Sequence, residues 1–112
     1  MEEGVSRKPY AVSQEFNDSR KSIYEYTVET FGYIQAERYK QKIRNSLDTL
    51  PEYYHVYPEC RHIPTQSRMY RNIILDAHLI IYRITNERIE VLDIIHSASS
   101  IRKIRGVRNI RL

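Results

Sequence analysis

The chain has 112 residues, 41% of them hydrophobic and 29% charged, with a formal net charge of +4. This is one globular domain's worth of sequence, with apolar residues enough for a single core, and no run approaches the roughly 18 apolar residues that span a bilayer. The single Cys60 excludes an internal disulfide and a cysteine-based metal site, and the first ten residues lack the apolar stretch of a secretory signal, so the expected location is the cytoplasm.

In chain order, residues 1–7 read as a flexible start. Residues 8–16 read as a first strand, with Pro9 at its beginning, where a missing amide donor is tolerated. Asn17 or Asp18 is placed to cap a helix over 18–31, because a short side-chain oxygen accepts from the free amides of a first turn. Gly32 ends that helix. A second helix is expected over 34–50, where Ala36, Tyr39, Ile43, Leu47 and Leu50 recur at intervals of three and four. Pro51 is expected to stop it. Two helices joined by so short a link form an antiparallel hairpin that covers one face of a sheet.

Residues 52–66 are irregular and hold the aromatic run Tyr53–Tyr57, which either packs the loop onto the hairpin or stacks on bases. Three strands follow, over 67–75, 78–85 and 88–96. The breaks at Asp76–Ala77 and Thr85–Glu87 suit hairpin turns, so this part is an antiparallel meander. The segment Ser97–Ser100 caps a short last helix carrying Ile101 and Ile104, and residues 107–112 read as a flexible basic tail. The fold class is α+β: an antiparallel sheet with a two-helix hairpin on one face and a short C-terminal helix, in a single domain over 1–112.

Charge is unevenly placed. From His96 onward there are five cations and no acid, so the first 95 residues hold thirteen cations against fourteen acids. A basic end of this kind attracts nucleic acid, ribosome or an acidic protein, or simply solubilises the chain. Arg68, Arg102, Lys103 and Arg105 are the candidate target-binding residues.

His96 closes the last strand where a Ser-rich turn begins. An imidazole there serves as general acid or base, or fixes the turn through Ser97 or Ser99. Arg71 and Arg83 lie on neighbouring strands and offer planar forks for phosphate; Arg83 alternatively pairs with Glu90 or Asp93. Alternation separates Ile80, Tyr82 and Ile84 from Leu79, Ile81 and Arg83, so that one sheet face meets the helices and the other is free to work. The four histidines have no metal-site spacing. No Gly-rich phosphate loop or nucleophile elbow is present, and no cofactor is expected.

Certain residues carry a family resemblance. They are Asp18, Ile23, Tyr26 and Phe31–Gly32 in the first helix, and Ala36, Tyr39, Ile43 and Leu47 in the second. Tyr57–Pro58 and Arg71 follow, then the strand over 79–84 with its Tyr82–Arg83 pair, and the strand over 89–96 ending Ile94–Ile95–His96. In this order, over residues 10–104, the chain resembles the RelE/ParE toxins of bacterial type II toxin–antitoxin modules, closer to the ParE branch. The resemblance implies a growth-inhibiting toxin bound by a cognate antitoxin, in a toxin–antitoxin hetero-oligomer. ParE-like members poison DNA gyrase and are not enzymes. RelE-like members are metal-independent, ribosome-dependent endoribonucleases that cut mRNA; in that alternative His96, Arg83 and Arg71 are the catalytic residues. The chain departs from the nuclease pattern at Ser97–Ser100, where those members often supply Arg or Tyr, and at Leu79, near where several place an Arg.

Overall fold

The computed structural model describes residues 6–112. The chain forms β1 (Tyr10–Val12), α1 (Gln14–Phe31), α2 (Tyr33–Tyr53), β2 (Tyr70–Leu75), β3 (His78–Ile84), β4 (Ile89–His96) and α3 (Ile101–Gly106), with a 3-10 turn at Val107–Asn109. Of the expected flexible segments, residues 1–5 lie outside the described residues.

The first strand is shorter than expected, and α1 starts four residues earlier, because Ser13 and not Asn17 or Asp18 is the cap. Ser13 is extended, and its Oγ accepts from the Phe16 amide at 2.9 Å and donates to the Leu92 carbonyl. One buried hydroxyl thus satisfies a free helix amide and ties α1 to β4. Phe16, read as a strand residue, is the first core residue of α1 and fully buried. Gly32 is the only residue between the helices. Its φ of 95° suits glycine alone, and it ends α1 and begins α2 in one step. Pro51 does not stop α2. It sits in the last turn, where it costs one bond, and its carbonyl accepts from Lys8 N.

The four strands are ordered β1-β4-β3-β2. The meander is antiparallel as expected, but β1 runs parallel to β4, pairing Tyr10 with Ile89. Between Ile81 and Tyr82 the β3–β4 register slips: Tyr82 faces Val91, Ile81 faces Asp93, and Leu92 is an extra, bulged residue.

Both sheet faces are covered. On one, Phe16, Ile43, Leu47, Leu50 and Tyr54 of the helical layer pack on Ile80, Tyr82, Val91 and Ile94. On the other, Cys60, Ile63, Ile104 and Val107 close over Ile81, Leu92 and Ile95. The open working face expected from strand alternation is therefore absent, because the loop before β2 and the C-terminal turn bury it. Of residues 107–112, expected as a flexible tail, 107–110 meet the sheet: Val107 is buried, and the carbonyls of Arg108 and Ile110 accept from Arg83. Two tyrosines of the aromatic run serve packing. Tyr54 is buried, and Tyr57 lies edge-on to Tyr82 and bonds Thr49 through its hydroxyl.

Candidate functional site

Strand register decides which candidate residues meet. Arg83 faces Glu90, while His96 faces His78 at the opposite end of the same ribbon. The two positions lie six steps apart along β4, roughly 20 Å at strand rise. Arg71 faces Tyr82, also near the Arg83 end. The sheet therefore does not bring His96 together with Arg71 and Arg83.

The arginine end is saturated. Arg83 Nε and Nη2 both donate to Glu90 Oε1, at 2.9 and 2.7 Å. Nη1 donates to Tyr70 Oη and the Arg108 carbonyl, and Nη2 also to the Ile110 carbonyl. These contacts engage all five donors of the guanidinium. Burial works against the charge on Glu90, but its bonds to Arg83 and Arg88 prevail and hold the carboxyl below its usual range. Of the two partners that alternation allowed Arg83, the structure has Glu90. Arg71 is a loop clamp, donating to the carbonyls of Arg68, His55 and Tyr57. Arg68, exposed and at φ 57°, lies 3.5 Å from Glu59.

The histidine end is open. A groove of about 560 Å³ lies between the helix hairpin and the β2–β3 turn, lined among others by Ile23, Tyr26, Phe31, Tyr39, His78 and His96. Tyr26 is 63% and Phe31 66% exposed beside it. The hydroxyl of Tyr39 donates to the Leu75 carbonyl at 2.9 Å and lies 2.7 Å from His78 Nδ1. Both bonds hold together only if His78 carries its proton on Nδ1, leaving Nε2 as an acceptor. His96 Nδ1 accepts from the Ala98 amide, so a neutral His96 presents Nε2–H. The rings stand edge-to-face with centroids 5.6 Å apart. Burial, then the neighbouring His96, pushes His78 below the ordinary histidine range, against the pull of Asp76. Burial raises Tyr39 to about 12, with Asp76 adding to it. The two imidazoles and the Tyr39 hydroxyl thus share one groove with the exposed apolar rings of Tyr26 and Phe31.

Sequence reading missed Tyr39 and His78 as site residues. Counting back from the Thr85–Arg88 turn pairs His78 with Ile95; only the Leu92 bulge moves it opposite His96.

Of the remaining candidates, Arg102, Lys103 and Arg105 are exposed on α3. Lys103 looks toward α1 across a shallow cleft shared with Asp18 and Asp93, while Arg105 Nε donates to the His62 carbonyl at 3.2 Å. Cys60 is buried, and burial raises its thiol above the ordinary range. Among the described residues, no three His, Cys, Asp or Glu side chains converge as a metal site, and no helix is long and apolar enough to cross a membrane.

The family model described as ParE toxin of type II toxin-antitoxin system, parDE, matches residues 10–101. Among solved structures, a chain titled "Chromosomal ParDE TA system from P. aeruginosa" superposes with a TM-score of 0.67 at 16% identity, covering 80% of this chain and 96% of that one. At that identity the likeness speaks for the fold. No curated protein matches significantly.

Proposed function

The chain belongs to the ParE toxin family of type II toxin–antitoxin systems, and from that premise we propose that it stops growth by poisoning DNA gyrase and is neutralised by a cognate antitoxin. The observation that carries the choice of target is the separation of His96 from Arg71 and Arg83 by most of a strand's length, with every Arg83 donor engaged inside the protein. A metal-independent nuclease needs its base, acid and cations around one phosphate, and these three residues are not so arranged. A poison that acts by binding needs only a surface. The exposed α3 with Arg102, Lys103 and Arg105 supports that role, and the groove beside Tyr26 and Phe31 supports capture of an antitoxin segment.

The test is to induce the chain without its antitoxin and follow labelled thymidine and labelled methionine over the first minutes. Thymidine incorporation is expected to fall first. An early fall in methionine incorporation, with DNA synthesis still running, would reject gyrase in favour of mRNA cleavage.

A further inference from the structure

The C-terminal turn has a regularity of period three. Ile104 and Val107 are buried and Ile110 packs beside them, while Arg102, Arg105, Arg108 and Arg111 are all exposed. Arg102 and Arg105 lie one α turn apart on α3, which tightens at Val107 into a 3-10 turn that carries Arg108; the chain is extended from Ile110, and Arg111 follows just beyond the turn. The inward stripe docks the turn on the sheet, and the other stripe is a row of guanidinium groups. Steps of about 4.5 Å in the α turn and about 6 Å into the 3-10 turn set Arg102, Arg105 and Arg108 along a ridge on the order of 10 Å long, with Arg111 at its far end.

The ridge is held firmly. Ser100 caps α3 by accepting from the Lys103 amide, Arg83 pins the carbonyls of Arg108 and Ile110, and Arg105 bonds the loop at His62. Arg61, exposed, adjoins that contact. Among the described residues, none of the four ridge arginines forms an ion pair, whereas the nearby acids Glu90 and Glu59 are occupied by Arg83, Arg88 and Arg68. Four like charges in a row repel, so folding alone does not favour them. An aligned polyanion does, and arginine forks fit phosphate in particular.

We propose that the ridge Arg102–Arg105–Arg108–Arg111 binds the sugar–phosphate backbone of double-stranded DNA, without sequence preference. Duplex DNA supplies a dense line of charge along its axis. A single strand is a poorer match, since its binding relies on stacking and Tyr70, which packs against the cluster of Ile104 and Val107, lies against the Arg83 guanidinium. The inference deepens the gyrase reading, because the enzyme's substrate is DNA, but its test needs no gyrase.

The experiment measures fluorescence anisotropy of a labelled 20-base-pair duplex titrated with the full chain between 50 and 200 mM NaCl. Affinity is expected to fall with salt, with a log–log slope of about −3 to −4, near −0.9 per phosphate contact. The double variant R102E/R108E should bind at least tenfold more weakly with a shallower slope while melting like the parent. Arg38→Glu, exposed on α2, should change neither. Salt-independent binding, an unaffected double variant, or tighter binding to single-stranded DNA, duplex RNA or anionic vesicles would each overturn the ridge assignment. Trapping of gyrase cleavage complexes is scored separately. A chain that traps gyrase but does not bind DNA loses the ridge and keeps the toxin reading; one that binds DNA while DNA synthesis continues keeps the ridge and loses gyrase.

Discussion

The two ends of the β3–β4 ribbon are built from similar polar side chains and put them to opposite uses. At the Arg83 end every donor is met inside the protein, and both partners of the Arg83–Glu90 pair are only 14% exposed. At the His96 end the internal bonds fix two rings and leave a face of each toward a groove with exposed apolar walls. Residue type therefore says little about role here. An arginine that reads as a phosphate ligand is structural cement, because the C-terminal carbonyls and Glu90 reach it first. A histidine that the spacing of titratable residues passes over stands beside His96 in the lining of an open groove.

Arg83→Ala breaks this contrast most severely. It leaves Glu90 with Arg88 alone and releases two C-terminal carbonyls, so a loss of about 3 kcal/mol is expected, read from urea unfolding. Arg102→Ala, on the free ridge, should stay within about 0.5 kcal/mol of the parent. Equal losses in the two variants would mean that Arg83 is no more embedded than a surface arginine.

His78 sharpens the comparison through pH. Its folded pKa is lowered, so the unfolded chain takes up the proton first as pH falls below about 6.5. Stability should then drop as pH goes from about 6.5 toward the lower folded value and level off beyond it. The gap in urea midpoint between pH 7 and pH 5 should therefore shrink in His78→Asn. An unchanged gap would assign the pH dependence to other groups.

The smallest effect belongs to His96→Ala. The ring is exposed and makes one bond to the Ala98 amide, so stability should move by no more than about 0.5 kcal/mol. Antitoxin affinity, measured by calorimetry, should fall severalfold if the groove is the docking site. Full affinity in this variant would move the antitoxin elsewhere.

Much of the fold was legible in the chain. Apolar residues at intervals of three and four in α2 and the long strands of the meander need only local geometry to be read, and a glycine between two helical stretches has few other places to go. The start of α1 was not legible. Residues 8–16 alternate well enough for a strand, and only the Leu92 carbonyl, 79 positions away, makes Ser13 a buried cap. Pro51 reads as a stop because proline loses one bond, yet packing of Leu50 and Tyr54 carries the helix past it.

The candidate site divides the same way. The sequence by itself determined the composition of the basic C-terminus, the helix hairpin, the meander and the family resemblance, since these depend on residue order and local periodicity. Only the tertiary structure decided that Arg83 is spent on Glu90, that the second sheet face is closed, that the C-terminal turn is docked with its arginines outward, and that a single bulged residue sets His78 opposite His96. Each of these is a long-range pairing, and a shift of one residue in strand register exchanges neighbours without changing any local pattern.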